Sequence, residues 1–383
     1  MNPRAATTAS LRPRPFNQRR AARAAVLLAV NAGLLILVAL AAELALRVIL
    51  PRQNSPAPPL IAYPRFANNI NGFNDQGFTP ANTDGRWRIL CLGGSTSMWQ
   101  SYPQYLAAAI AALPSAQQSG KRVLVVSAGE IAHTSRDSYL KYRYWYDGYE
   151  FDAVVFYQAI NDLRVNNCPR AIYKPGYTHL AYYHEIEAPL RLSQRPILGR
   201  SFLLVFLAKR LAILANKLDD RFYQRRVPQH QPRQEWLKFG GHYLGLAEYQ
   251  ENVRGIARLA RERHQPLLLQ TFCSWIPPEY SEEAFKAKVL PYTFTGSSKP
   301  VELWGVPNIV QRGLSMYNDT LRQIASEEQT LFLDQAAAFP TGAEYFIDVC
   351  HFTPRGAELL TRRAARALEQ GGVFDRGSQP SSE

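Results

Sequence analysis

Four short polar blocks along the chain carry residue types that together could attack a carbonyl carbon. A Gly-Gly-Ser turn supplies Ser95, Gly129 and Asn161 follow in two separate blocks, and an Asp-x-x-His block supplies Asp348 and His351. A serine hydroxyl is a weak nucleophile until a base takes its proton, and a histidine held by an aspartate is such a base. We therefore expect Ser95 as nucleophile, His351 as base and Asp348 as the residue that orients the base.

The same blocks contain hydrogen-bond donors for the negative charge that such an attack creates. Charge develops on the carbonyl oxygen and is stabilised by N–H groups that are already in place. The backbone N–H groups of Ser95 and Gly129 and the side-chain amide of Asn161 are the expected donors of this oxyanion hole. The two glycines before Ser95 are expected to permit a tight turn that lifts the hydroxyl above its strand.

Apolar runs that alternate with helical patterns are expected to position these blocks. Five runs are typical of buried strands, at residues 88–92, 122–126, 153–157, 266–272 and 330–333. Helices are expected at residues 102–113, 136–146, 246–264, 309–327 and 353–368. The alternation predicts an α/β fold with a parallel sheet, in which ligands bind at the carboxyl ends of the strands. Ser95, Gly129 and Asn161 each follow one of the first three strands, so we expect them at one edge.

The four blocks, in this order, resemble the SGNH (GDSL-like) hydrolase superfamily, in its membrane-anchored bacterial envelope type. The resemblance covers residues 87–163 and 330–369. It implies a flavodoxin-like three-layer α/β/α sandwich with a five-stranded parallel sheet. It also implies a serine ester hydrolase with catalytic Ser95, Asp348 and His351 and no cofactor. Two positions depart from the family pattern, because Ala159 stands where glycine is usual and Ser127 where asparagine is usual.

The resemblance leaves three functions open. The first is hydrolysis of acyl esters, acetyl esters among them, on an envelope carbohydrate or lipid. The second is an O-acyltransferase that passes the acyl group to a sugar hydroxyl of an envelope polysaccharide through the same acyl-enzyme. The third is a non-catalytic envelope binding module, which would have no need of the Asp348–His351 pair.

The N-terminus carries the pattern of a membrane anchor. Residues 1–23 contain six arginines and no acid, and residues 24–42 are apolar apart from Asn31. At about 1.5 Å per residue this run reaches roughly 28 Å, close to the thickness of a bilayer core. The positive-inside rule predicts a single-pass inner-membrane protein with a cytoplasmic N-terminus and a periplasmic or extracellular domain. A cleaved signal peptide is the alternative.

These patterns predict five segments. They are a basic cytoplasmic arm (1–23), a transmembrane signal anchor (24–50), a linker (51–85), a hydrolase-like domain (86–370) and a disordered tail (371–383). Two insertions interrupt the domain, at about residues 164–245 and 275–307, and long insertions of this kind often act as lids or binding loops. In the first insertion, residues 201–218 could lie on a membrane as a basic amphipathic helix or pack on the domain.

Charge and residue spacing exclude several other classes. The formal net charge is +13, but the chain has no zinc-finger spacing and no nucleic-acid-binding signature, so we expect no nucleic-acid partner. No histidine or cysteine cluster has metal-ligand spacing, and we assign no metal. The expected partners are an acyl-ester substrate, carried by an envelope carbohydrate, and the membrane.

Several polar residues near the four blocks have two interpretations. Cys168 and Cys350 could form a disulfide or remain two thiols. Arg136 and Arg164 could bind an anionic substrate or be held in salt bridges and solvent. His133 is expected to be a surface or hydrogen-bonded residue, and Asp162 to be structural.

Overall fold

Strands and helices alternate around one sheet in the computed structural model. It describes residues 18–49, 69–70, 80–83, 85–98, 102–193, 195, 197–223, 233–281, 283–284, 287 and 301–375. The proline-rich part of the predicted linker, at residues 51–64, and most of the basic arm lie outside these residues.

The sheet has six strands in the described part of the chain. In chain order they are β1 (Asn69–Ile70), β2 (Trp87–Gly93), β3 (Val123–Ser127), β4 (Ala153–Tyr157), β5 (Leu267–Gln270) and β6 (Leu331–Leu333). Their spatial order is β1-β3-β2-β4-β5-β6. Strands β2 to β6 are parallel, whereas the two-residue β1 pairs antiparallel with β3. The five parallel strands therefore have the 2-1-3-4-5 order of flavodoxin-like folds, which confirms the predicted fold class.

Helices cover both faces of the sheet. In chain order, the helices of the described residues are α1 (Gln18–Ile49), α2 (Tyr102–Ala111), α3 (Pro114–Ser119), α4 (Ser135–Leu140), α5 (Ile160–Arg164), α6 (Ala181–Ser193), α7 (Phe202–Tyr223), α8 (Leu246–Glu262), α9 (Pro307–Glu328), α10 (Gln335–Ala338) and α11 (Pro354–Gln370), of which α1, α6 and α7 lie away from the sheet. Helices α2 and α11 pack together, as do α4, α8 and α9. The helix predicted at residues 136–146 is divided, because a π-helical turn (Lys141–Trp145) follows α4.

Burial on both faces explains why the strands are short, continuous apolar runs. All seven residues of β2 are buried, as are all five of β4 and all four of β5. Parallel strands covered by helices on both sides read as uninterrupted Val, Ile and Leu, which is the pattern that made them predictable. Helix α11 begins as predicted, since Thr353 Oγ1 accepts a hydrogen bond from Gly356 N at 3.1 Å and Pro354 takes the first helical position.

The first insertion is a folded layer rather than a loop. Helices α6 and α7 pack against each other. Beneath them lies a second apolar cluster, formed by Leu140, Val165, Cys168, Tyr177, Leu180, Tyr183, Ile186 and Leu190. The predicted long insertion thus builds its own small core beside the α/β sheet.

The structure corrects the expected C-terminal boundary. The predicted tail began at residue 371, but Val373 and Phe374 are buried, and the Phe374 ring meets Trp87 edge-on with centroids 5.3 Å apart. These two apolar side chains close the end of the core, so the domain extends through Asp375. Residues 376–383 lie outside the described part of the chain.

The structure also does not support the Cys168–Cys350 disulfide. All four cysteines are free and buried. Cys168 packs in the second apolar cluster, whereas Cys350 packs in the main apolar core. The two thiols are thus held in different cores, and the alternative of two thiols is the one that the structure favours.

Candidate active site

Ser95 lies directly after β2, at the start of a short 3₁₀ turn (Ser95–Ser97). Both preceding glycines are required by close packing rather than by backbone conformation, since Gly94 has a φ of −103°. A Cβ on Gly94 would lie 2.8 Å from Asn161 Nδ2, and one on Gly93 would lie 2.7 Å from the Tyr157 carbonyl oxygen. The absence of side chains therefore lets the Ser95 turn approach the end of β4.

A hydrogen-bonded chain joins Ser95 to the Asp-x-x-His block. Ser95 Oγ lies 2.7 Å from His351 Nε2, and His351 Nδ1 lies 2.7 Å from Asp348 Oδ2. All three residues are buried, each less than 10% exposed. With the Nδ1 proton shared with Asp348, Nε2 is left to accept the serine proton. The geometry is that of a nucleophile, a base and an orienting carboxylate.

The loop before α11 explains the spacing of three residues between Asp348 and His351. Asp348 Oδ1 accepts hydrogen bonds from the backbone N–H groups of Cys350 (3.0 Å) and His351 (2.8 Å). The loop is closed by Ile347 N, which donates to the His351 carbonyl at 2.8 Å. One carboxylate thus fixes the backbone turn with one oxygen and the imidazole with the other.

Asn161 is oriented by a carbonyl that sequence reasoning did not identify. Its Nδ2 donates to the His133 carbonyl oxygen at 2.9 Å, and the same oxygen accepts from Gln158 Nε2 at 2.8 Å. An amide has two N–H groups, so one remains for a second acceptor. A Cβ on Gly94 would lie 2.8 Å from Nδ2, so this amide nitrogen lies beside the Ser95 turn. His133 is buried rather than on the surface, its backbone carbonyl makes these two contacts, and its ring stacks on Tyr182 with centroids 6.2 Å apart.

Gly129 lies against the Ser95 turn, but its N–H has a partner of its own. A Cβ on Gly129 would come within 2.6 Å of the Gly94 carbonyl oxygen. Its N–H donates to Ser127 Oγ at 3.2 Å, and that hydroxyl in turn donates to the Ser97 carbonyl at 2.9 Å. Ser127 is the residue that departs from the family pattern. Gly129 as an oxyanion donor therefore stays a prediction, and Ser127 competes for its hydrogen.

Asp162 is a buried structural carboxylate, as expected. It accepts hydrogen bonds from Ser135 N (2.9 Å), the Ser135 hydroxyl and Tyr177 OH (2.9 Å). Burial raises its pKa to about 6, against the opposing effect of these donors. Its position joins α5 to the N-terminus of α4, and so keeps the neighbouring Asn161 in place.

A buried lysine supports the loop that contains Gly129. Lys141 is 1% exposed, and its Nζ donates to the Ala128 carbonyl at 2.6 Å. Burial lowers its pKa to about 8. No sequence signal marks this residue, because a lysine in an amphipathic helix is normally solvated.

The two arginines named in the sequence have different environments. Arg136 forms salt bridges with Glu187 (2.7 Å) and Glu248 (3.2 Å), so of its two interpretations the structure favours the salt bridge over substrate binding. Arg164 forms no ion pair with any described residue. It lies one helical turn after Asn161 in α5, and burial lowers its pKa to about 10 while the nearby Tyr183 and Cys350 oppose this. Arg164 therefore remains a candidate to meet an anionic group.

Two further groups lie beside His351. The Trp304 ring, from the second insertion, has its centroid 6.3 Å from that of the imidazole. Asp348, Cys350 and His351 also offer three ligand atoms within 4.8 Å of one another, a set that could hold a metal ion. The His351–Asp348 hydrogen bond occupies two of these atoms, and burial raises the pKa of the Cys350 thiol well above its usual range, so the set favours proton transfer over metal binding.

Comparison with known proteins found matches at low identity among solved structures. No protein-family model matches the chain, and no curated protein matches it. Among solved structures, the acetylxylan esterase Axe2 from Geobacillus stearothermophilus is 14% identical, with a TM-score of 0.40 over 73% of this chain and 93% of that one. LAE5, an α/β hydrolase enzyme from the metagenome of Lake Arreo, is 13% identical, with a TM-score of 0.39 over 74% of this chain and 94% of that one.

A third structure is a protein assigned as a GDSL-like lipase from Parabacteroides merdae. It is 10% identical, with a TM-score of 0.40 over 75% of this chain and 95% of that one. Overall likeness at this level does not decide the chemistry of the site, which depends on the arrangement of Ser95, His351 and Asp348.

Proposed function

We propose that the chain is a serine ester hydrolase in which Ser95, His351 and Asp348 are the catalytic residues. The observation that carries this proposal is the chain of two 2.7 Å contacts from Ser95 Oγ through the His351 ring to Asp348. A structural histidine would not need a serine on one nitrogen and a buried carboxylate on the other. That arrangement is what an activated hydroxyl requires.

The reaction proceeds in two halves. Ser95 Oγ attacks the ester carbonyl carbon while His351 Nε2 takes the hydroxyl proton, and Asp348 stabilises the imidazolium that results. The oxyanion accepts hydrogen bonds from the Ser95 N–H, from the second N–H of Asn161 and from the Gly129 N–H, which leaves Ser127 Oγ to make this contact. Collapse expels the alcohol, which takes the proton from His351. Water, deprotonated by His351, then attacks the acyl-enzyme; the bond to Ser95 Oγ breaks, Ser95 takes the proton back from His351, and the acid is released.

Substrate class and location complete the proposal. The substrate is an acyl ester, including acetyl esters, carried by a carbohydrate or lipid of the cell envelope. Helix α1 holds the enzyme in the inner membrane, with its N-terminus cytoplasmic and the domain periplasmic or extracellular. The segment Ala25–Ile49 supports an anchor, since it is long and apolar enough to cross a membrane and no residue of its apolar window is buried within the protein. A signal sequence would pass the same test.

The first test is covalent labelling. Full-length protein in detergent is treated with a fluorophosphonate, which reacts with activated serines, and the adduct is located by peptide mass spectrometry. We expect the adduct on Ser95, and we expect it to be lost in His351→Ala. Ser95→Ala should abolish turnover of a 4-nitrophenyl acyl ester with the fold intact by circular dichroism. Wild-type turnover in Ser95→Ala would refute the mechanism.

A further inference from the structure

Helix α7 has two apolar faces, only one of which is covered by the protein. Val205, Ala212 and Asn216 face inward and are buried, next to α6. On the other side the chain exposes a set of large apolar side chains that we call the leucine face. Its members are Leu204, Leu207, Leu211, Leu214, Leu218 and Phe222.

The leucine face is continuous along the whole helix. Its members recur every three or four residues, which places them within about 80° of arc on one side of an α-helix. Leu211 is 65% exposed and Phe222 is 66% exposed, values usual for polar surface residues. Soluble proteins rarely expose so long an apolar stripe without a partner, so the leucine face marks an interaction surface.

Contacts with α1 indicate what that partner is. Glu43 of α1 accepts hydrogen bonds from the backbone N–H groups of Phe202 (3.0 Å) and Leu203 (2.8 Å), so it caps the N-terminus of α7. Arg47 of α1 donates to the Arg200 carbonyl at 2.8 Å. Glu43 and Arg47 are the charged residues of the segment 24–50, and both are used to hold α7. Helix α7 is therefore fixed to the apolar helix rather than only to the domain.

The position of the contact along α1 matches the edge of a bilayer. Glu43 lies six residues before the end of α1, which is about 9 Å along the helix axis. A charged residue near one end of a spanning helix reaches the interfacial region. Ile36 and Leu40 of α1 line one cleft together with Leu204, so the leucine face begins where the apolar surface of α1 is already present.

Charges on α7 fit the same partner. Arg210, Lys217 and Arg221 are exposed and lie along one flank of the leucine face. Basic side chains beside an apolar stripe are typical of helices that lie in the membrane interface, where long cationic side chains reach the headgroups. A protein partner would not need both the apolar stripe and its attachment to a membrane-spanning helix.

We propose that the leucine face of α7 lies in the interfacial region of the lipid bilayer that α1 crosses, so that two elements hold the domain against the membrane. This inference rests on the proposed role of α1 as an uncleaved anchor. Its consequence is a fixed orientation of the active site relative to the membrane surface. A domain on a simple tether would have no such orientation.

The test uses full-length protein in vesicles of neutral and anionic phospholipids, labelled on one introduced cysteine with an environment-sensitive fluorophore. The four native cysteines are buried, which makes labelling selective. Leu211→Cys reports on the leucine face, and Asp220→Cys, on the opposite side of the same helix, is the matched control. Leu35→Cys reports independently on α1.

We expect lipid-borne nitroxides to quench the label at position 211 at least about twofold more than the label at position 220, as interfacial burial requires. A second variant, Leu207→Ser with Leu211→Ser and Leu214→Ser, should abolish lipid quenching of a label at Leu218→Cys. The same variant should retain fluorophosphonate labelling of Ser95, which shows that the fold is intact.

Other results would overturn the proposal in distinguishable ways. Water-like emission at position 211 with lipid quenching at position 35 would reject the leucine face but keep the anchor. Water-like emission at both positions would reject the anchor as well. It would leave the proposed catalytic role of Ser95 unaffected, because the labels report only on contact with the membrane. Shielding of position 211 without lipid quenching, together with cross-linking between copies, would assign the leucine face to a second copy of the chain.

Discussion

Asn161→Ala tests whether the free N–H of this side chain holds the oxyanion. In the structure one N–H of Asn161 donates to the His133 carbonyl at 2.9 Å, and the Nδ2 atom lies beside the Ser95 turn, where its second N–H has room to meet the oxyanion. Removing one preorganised donor costs about 3 kcal/mol of transition-state stabilisation, or roughly a 150-fold fall in kcat. The substrate carbonyl carries little charge before attack, so KM should change little. Steady-state kinetics with a 4-nitrophenyl acyl ester measure both constants.

A matched variant separates oxyanion binding from local structure. Gln158 also donates to the His133 carbonyl, at 2.8 Å, but it belongs to the support of Asn161 rather than to the substrate. Gln158→Leu should therefore lower kcat by less than about tenfold, the effect of imperfect positioning. An equal fall in both variants would show that Asn161 acts only by holding His133. A kcat for Asn161→Ala within a few-fold of wild type would refute the oxyanion role.

Three further predictions concern buried and charged groups. Because burial lowers the pKa of Lys141 to about 8, unfolded protein binds the extra proton between about pH 8 and 10.5, so this lysine adds to the free energy of unfolding through that window. Burial raises the pKa of several thiols and phenols, which act in the opposite direction in both proteins, so the free energy of unfolding of wild type should rise relative to that of Lys141→Met, by up to roughly 3 kcal/mol, in denaturant titrations. Arg164→Gln should lower kcat/KM for the anionic ester mono-4-nitrophenyl succinate roughly tenfold, because a charge-assisted contact is lost. The same variant should leave kcat/KM for the neutral ester 4-nitrophenyl butyrate unchanged. Equal effects on both esters would reject a contact between Arg164 and an anionic group. Alkylation of unfolded, unreduced protein should modify both Cys168 and Cys350. If both thiols resist alkylation, the disulfide interpretation is correct instead.

The sequence predicted the sheet well because each strand is buried on both faces. Continuous apolar runs such as residues 153–157 are typical of strands that helices cover on both faces. The predicted bounds of this strand are the same as those of β4 in the structure. The order of the polar blocks after successive strands then determined that Ser95 and Asn161 share one edge. The Asp348–His351 spacing predicts a carboxylate–imidazole pair for a different reason, because this spacing is set by hydrogen bonds within one short loop.

Other features depend on contacts between residues far apart in the chain, which no local pattern encodes. The hydrogen bond from buried Lys141 to the Ala128 carbonyl, 13 residues away, and the capping of α7 by Glu43, 160 residues from Leu203, are examples. The sequence alone determined the fold class, the polar blocks and the apolar N-terminal run. Only the tertiary structure decided that Phe374 belongs to the core, that the cysteines are separated and that one face of α7 is left uncovered, because burial follows from the packing of the whole chain.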